Sequence, residues 1–111
     1  MITVQFEKTG EGILRLTAAG HAGAGPRGAD PICAAVTALC YTLAQALQLQ
    51  RRQLAEDPHI RIREGAAELT ARPIPEGAAE VTQTFWVVWT GLKLLEHNYP
   101  ENLKIQQEEY Q

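Results

Sequence analysis

A histidine and a cysteine twelve positions apart are the residues of this chain best suited to bond-breaking chemistry. His21 opens a glycine-rich loop, and Cys33 stands near the start of an apolar stretch. Asp30 is an N-cap residue type, and Pro31 suits the first helical position, where no backbone N–H is needed. This register places Cys33 in the first helical turn, near the positive end of the dipole, which favours the thiolate. His21 and Cys33 are therefore predicted to be a base and a nucleophile.

Both residues also have ordinary structural interpretations. Cysteine is often a small buried apolar residue, and that interpretation is favoured for Cys40, which lies deeper in the same predicted helix. A loop histidine is often only a solvated polar group. A working dyad requires the loop to fold back until His21 lies within ~3–4 Å of the Cys33 sulfur. No third member of a triad is compelling, because N-capping already accounts for Asp30 and a carboxylate beside Cys33 would oppose thiolate formation.

Several residues around the pair are assigned supporting roles. The N–H groups at the helix start, including that of Cys33, are predicted to form an oxyanion hole. Gly25 and Gly28 lie in a segment that is predicted either to cover the site or to be an ordinary surface loop, since glycine adopts conformations that other residues resist. Gly20 ends a strand and delivers the histidine to the loop. Thr37, one turn beyond the cysteine, is a candidate supporting hydroxyl, although packing alone also accounts for it.

The composition predicts one domain over residues 1–111, with no cofactor and no metal site. With 45% hydrophobic residues the chain has enough apolar material for a core, so disorder is not expected. The formal net charge is only −3, and no basic patch predicts direct nucleic-acid binding. The two cysteines fit neither a disulfide framework nor a zinc motif. No signal peptide, lipidation motif or apolar run near ~20 residues is found, so a cytoplasmic location without membrane contact is expected.

Hydrophobic periodicity predicts the elements that position these residues. Alternating apolar residues indicate strands, and apolar residues at steps of three and four indicate helices. The predicted order is ββαββαβ, an α+β fold with a mostly antiparallel sheet and two helices packed over it. The predicted segments are strands 2–8 and 13–17, a helix from 31 to about 50, strands 59–63 and 66–71, a helix beginning at 76–80, and a last strand at 103–106. The predicted helical stripes are Ile32, Val36, Leu39, Leu43 and Leu47, then Val81, Phe85, Val88, Trp89, Leu92 and Leu95.

One combination of motifs resembles a known family. Gly20-His21-Ala22 is followed by a short glycine-containing loop and then by Asp30-x-Ile32-Cys33-Ala34-Ala35-Val36-Thr37-Ala38-Leu39. This arrangement resembles the ribosomal-processing cysteine protease family of bacteria. The likeness covers nearly the whole chain, from the opening Met1-Ile2-Thr3-Val4 to the closing Tyr99-Pro100-Glu101-Asn102-Leu103. It is fairly specific, because a histidine and a cysteine must both occur at this spacing in a small chain.

The resemblance implies a cytoplasmic cysteine endopeptidase with Cys33 as nucleophile and His21 as general base. Members of the family remove a short N-terminal extension from a large-subunit ribosomal protein, and they tend to be homodimers. The family also matches the prediction of a movable loop over residues 23–29. The alternative hypothesis is a non-catalytic ribosome-associated binding module of the same fold, and a weaker one is a thiol-based redox sensor. Selective alkylation of Cys33 over Cys40 would favour the enzyme.

Overall fold

The α+β architecture and the order of elements agree with the sequence prediction. The computed structural model describes residues 1–106 and 109–110. Short 3₁₀ turns at Arg51–Gln53 and Pro75–Gly77 precede the second hairpin and the second helix. The helices and strands are β1 (Ile2–Lys8), β2 (Leu14–Gly20), α1 (Pro31–Leu49), β3 (His59–Arg63), β4 (Ala66–Ala71), α2 (Ala78–Asn98), β5 (Leu103–Ile105) and β6 (Glu109–Tyr110). The two-residue β6 lies beyond the last predicted strand, because two residues carry no detectable periodicity.

The strands form one mixed sheet in the order β3-β4-β2-β1-β5, with β6 also paired to β1. Neighbouring strands, including β1 and β2, are antiparallel, but β1 pairs with β5 and with β6 in parallel. The register sets Ala19 of β2 opposite Ala66 of β4, and the Gly20 N–H donates to the Gly65 carbonyl at 2.9 Å. The end of β2 therefore lies beside the turn between β3 and β4.

Both helices cover one face of the sheet and enclose the core. Alternation along β1 and β2 buries one side of each strand and leaves polar residues such as Gln5 and Arg15 on the other. The predicted stripes are largely confirmed, although Leu39 and Leu95 are half-buried. The Leu39 side chain packs beside Gly91 of α2. A Cβ on Gly91 would lie 3.0 Å from the Cδ2 atom of Leu39. The largest fully buried side chains include Phe6, Phe85 and Trp89. The centre of the Phe6 ring lies 5.5 Å from that of Phe85 and 5.6 Å from that of Trp89.

Helix α1 is more apolar than the sequence analysis recognised. Its 19 residues include no charged side chain, and its mean hydropathy reaches 1.6. By length and composition it could cross a membrane, so the expectation that no apolar run approaches ~20 residues is wrong here. One third of this stretch is buried in the core, between the sheet and α2. The six residues of α1 that are buried in the core account for part of this apolar character.

Candidate active site

Cys33 lies in the first turn of α1, as the sequence predicts. Pro31 is the first helical residue, and Asp30 is the N-cap with extended backbone. One carboxylate oxygen of Asp30, Oδ1, accepts hydrogen bonds from the N–H groups of Ile32 at 2.9 Å and Cys33 at 3.0 Å. These bonds satisfy donors that a helix start leaves without partners. The thiol thus stands at a capped helix N-terminus, and its side chain is half-buried.

Asp30 also ties the glycine-rich loop to the helix. Its second oxygen, Oδ2, accepts a hydrogen bond from the Ala24 N–H at 2.8 Å. The hydrogen bond from the Cys33 N–H is the main reason why the pKa of Asp30 lies below its ordinary value, and those from Ala24 and Ile32 act in the same direction. The Cys33 N–H, which the sequence analysis assigns to an oxyanion hole, is bonded to Asp30 in this structure, and its oxyanion role stays a prediction. That donor already serves the cap.

His21 reaches the site by the route the sequence predicts, directly after β2. Its side chain is exposed and lies against the turn between β3 and β4. A Cβ at Gly65, which has a φ of +78°, would lie only 3.1 Å from the imidazole Nε2, so glycine leaves space for the ring there. The next N–H, that of Ala22, donates to the Cys33 sulfur at 3.3 Å. The loop therefore folds back onto the start of α1.

An open groove of ≈ 990 Å³ passes over the thiol and contains most of the predicted site residues. His21 and Cys33 both line it. Its walls are the glycine-rich loop, the exposed side of the first turns of α1, and the end of β3 with its turn. The lining residues are His21, Gly23, Gly25, Arg27, Gly28, Asp30, Cys33, Ala34, Thr37, Ala38, Tyr41, Ile62, Arg63, Glu64 and Gly65. The structure thus gathers six of the seven predicted residues around one space, and their catalytic and supporting roles stay predictions.

The remaining supporting residues have distinct positions. Gly20 lies outside the groove, at the end of β2, with a φ of +106° at which a Cβ would overlap the Met1 carbonyl. Gly25 packs closely on the loop itself, since a Cβ there would lie 2.8 Å from the Ala29 carbonyl oxygen. Gly28 has a φ of +84°, and Thr37 is exposed on the groove one turn beyond the thiol.

An ion pair that the sequence analysis did not identify joins the two sides of the groove. The guanidinium of Arg27, in the loop, contacts the carboxylate of Glu64, in the turn after β3. The hydrogen bond and the charge of Arg27 lower the pKa of Glu64, and the charge of His21 acts in the same direction. Both side chains are exposed, so the pair orients the loop more than it stabilises the fold. No local pattern predicts it, because the partners are far apart in sequence.

Asn102 is a second contributor that the sequence analysis did not identify as part of the site. It follows the end of α2, and its side-chain amide Nδ2 donates to the Ala22 carbonyl at 2.9 Å. The Asn102 carbonyl accepts the Ile2 N–H at 2.9 Å, which fixes the asparagine against β1. Ala22 is buried, so this bond satisfies a carbonyl with little access to water. The residue that directs its N–H at the thiol is therefore held from the far end of the chain.

The comparisons with known proteins agree with this geometry. Residues 1–104 match the family model of the cysteine protease Prp. The chain belongs to that family. A crystal structure of the essential ribosomal processing protease Prp from S. aureus, with a covalently linked product peptide, has the same fold, with a TM-score of 0.72, 24% identity and full coverage of both chains. A second structure of that protease, with a substrate peptide, gives a TM-score of 0.70 at 23% identity, again over both full chains.

A further solved structure extends the likeness to another organism. SMU.848 from Streptococcus mutans has a TM-score of 0.72 and 26% identity, covering 100% of this chain and 96% of its own. Among curated proteins there is no significant match. Family membership identifies the chain as a cysteine protease of the Prp type, and the two S. aureus structures are complexes of that protease with a product peptide and with a substrate peptide.

Proposed function

We propose that this chain is a cysteine endopeptidase in which Cys33 is the nucleophile and His21 the general base. The observation that carries the proposal is the position of Cys33 at the capped start of α1, in the same groove as His21. A helix N-terminus favours the thiolate, which is the attacking form of cysteine. The open groove gives a peptide access to the sulfur, and family membership supplies the reaction class.

The mechanism follows the chemistry of acyl transfer. His21 takes the proton of the Cys33 thiol, and the sulfur attacks the scissile carbonyl, forming an S–C bond. The tetrahedral intermediate collapses, the C–N bond breaks, and protonated His21 gives its proton to the leaving amine. A water molecule, deprotonated by His21, then attacks the thioester and releases the acid product and the thiol. Each proton that leaves the sulfur or the water is thus returned to a leaving group.

The oxyanion requires a donor other than the Cys33 N–H, which is bonded to Asp30. The Ala22 N–H is the candidate, because it already lies 3.3 Å from Sγ. Once the sulfur is bonded to the substrate carbon, the oxyanion is attached to that same carbon. It therefore forms close to the sulfur and within reach of this donor. The loop after β2 would then supply both the base and the oxyanion donor.

The proposed substrate is the precursor of a large-subunit ribosomal protein, from which the enzyme removes a short N-terminal extension. The support is the name of the S. aureus relatives, ribosomal processing proteases crystallised with substrate or product peptides. Such a substrate implies action in the cytoplasm. Homodimer formation is part of the same proposal, and exposed Val87 and Leu94, seven positions apart on α2, offer an apolar face for it.

The deciding experiment incubates the protein with the full-length precursor from the same organism and measures product masses. The matched variants are Cys33→Ala and Cys40→Ala, which remove one thiol each from the same helix. One cut near the precursor N-terminus that survives Cys40→Ala and is lost in Cys33→Ala is expected. If the precursor stays intact while Cys33 is alkylated no faster than Cys40, the non-catalytic binding module is the better description.

A further inference from the structure

We infer that the substrate peptide binds as an additional β-strand along the free edge of β3, with its backbone hydrogen bonded to Ile60 and Ile62. This inference rests on the proposed protease function and specifies how that site recognises an extended peptide. Strand addition recognises main-chain groups, so affinity comes from the backbone and selectivity from side chains at alternate positions.

The pairing of the second hairpin determines which backbone groups of β3 are free. β3 is the edge strand of the sheet, and β4 is its one strand partner among the described residues. Arg63 and Ala66 flank the two-residue turn, so their backbones are hydrogen bonded to each other. Along an antiparallel pair of strands, hydrogen-bonded pairs alternate with pairs that are not hydrogen bonded, and Ile62 and Ile60 belong to the second kind. The bond from the Gly20 N–H to the Gly65 carbonyl agrees, since it directs that residue towards β2. The N–H and carbonyl groups of Ile60 and Ile62 therefore point away from β4.

The free edge of β3 reaches the candidate active site at Ile62. Ile62 lines the groove together with Cys33, Ile60 lies two residues earlier on the same edge, and the opposite wall is the face of α1 that carries Ala34 and Ala38. The small side chains leave room for a peptide backbone between helix and strand. The groove volume of ≈ 990 Å³ is at the upper end of the range for small-molecule pockets, which favours a peptide segment as the occupant.

At the opposite edge of the sheet, a side chain occupies a backbone donor. At β5 the Ile105 N–H donates to the carboxylate of Glu96 at 2.7 Å, so a side chain of α2 occupies an edge donor. Within residues 1–106 and 109–110, no side chain bonds the edge-facing groups of Ile60 or Ile62. An unpaired strand edge is a template for another chain, and proteins usually block it. Here the unblocked edge is the one beside the thiol.

The test is a backbone scan of the substrate with the unmodified enzyme. Peptides spanning the precursor cut are made with one N-methyl amide each, and in a second series with one ester replacing each amide away from the scissile bond. The ester removes the donor without adding a methyl group. Two positions, two residues apart on the same side of the cut, are expected to lower kcat/KM about tenfold each, with little loss at the position between them.

The outcomes separate this inference from the function on which it rests. A parent peptide that is cut, with losses at two alternate positions in both series, supports strand addition. A parent peptide that is cut, with a flat scan or losses at consecutive positions, overturns strand addition and leaves the protease intact. A parent peptide that is not cut, when the full precursor is also left intact, overturns the proposed function and this inference with it.

Discussion

The two thiols of α1 lie seven positions apart on one helix, and their surroundings differ in burial, in access from the groove and in hydrogen bonding. Cys40 is 1% exposed, and burial raises the pKa of its thiol to about 11. Cys33 borders the open groove, and its sulfur accepts a hydrogen bond from the Ala22 N–H. The comparison shows that a place on one helix does not by itself determine the surroundings of a thiol. The loop and the β3–β4 turn, both from outside the helix, build the environment of Cys33.

The largest expected effect is on peptide cleavage. Cys33→Ala removes the nucleophile and is expected to lower kcat/KM by at least about 10³-fold, whereas Cys40→Ala retains near-wild-type turnover. Initial cleavage rates on the precursor peptide measure kcat/KM for both variants, and equal circular dichroism spectra show that both variants are folded. Comparable losses in the two variants would remove the functional distinction between the thiols.

Alkylation separates the same two thiols without a substrate. A thiol with a pKa of about 11 is thiolate in only about one molecule in 10⁴ at pH 7, and burial further restricts access to Cys40. Iodoacetamide at pH 7 is therefore expected to modify Cys33 at least about 100-fold faster than Cys40. Peptide mapping by mass spectrometry gives both rates. Equal slow modification of both residues would mean that the groove does not activate Cys33.

Asn102 tests whether the surroundings of Cys33 depend on the far end of the chain. Asn102→Ala removes the donor to the Ala22 carbonyl and is expected to lower kcat about 10- to 100-fold, since small displacements of reacting groups are costly. The pH dependence of Cys33 alkylation is the second readout, because a purely structural role would leave it unchanged. Asn98→Ala, at the exposed end of α2, is the matched control. A normal pH profile and kcat in Asn102→Ala would assign the residue to folding alone.

The smallest expected effect concerns the cap that holds Cys33 in place. The pKa of Asp30 is lowered in the fold, so its contribution to stability is complete above the unfolded pKa, about 3.9, and is lost as the pH falls through the folded value. Asp30→Asn is expected to lower the melting temperature by a few degrees at pH 7, with the difference shrinking below about pH 4. Glu101→Gln provides an exposed control. A difference that stays constant with pH would contradict the cap's ionised role.

Local patterns in the sequence predicted most of the fold. The second hairpin, 59–63 and 66–71, is confirmed at its predicted limits because alternation and the Glu64-Gly65 turn specify it locally. The start of α1 is confirmed because Asp30 and Pro31 are direct helix-start signals. The apolar composition of α1 and the short β6 were not anticipated.

The way in which the candidate site is assembled could not be predicted from such patterns. The sequence identified His21 and Cys33 from their types and spacing, but it could not place the β3–β4 turn beside them. That placement depends on the pairing of β2 with β4, a contact between distant segments. The contribution of Asn102 and the occupation of the Cys33 N–H are likewise visible only once the backbone is folded.

The position of β1 inside the sheet has a consequence for the order of synthesis. β1 lies between β2 and β5, and β5 follows Asn102 near the end of the chain. A ribosome therefore makes the histidine, the thiol and both helices before it makes the asparagine that holds Ala22. A nascent chain can contain His21 and Cys33 while the Ala22 peptide lacks its support, so the thiol reaches its final surroundings only after Asn102 has been made.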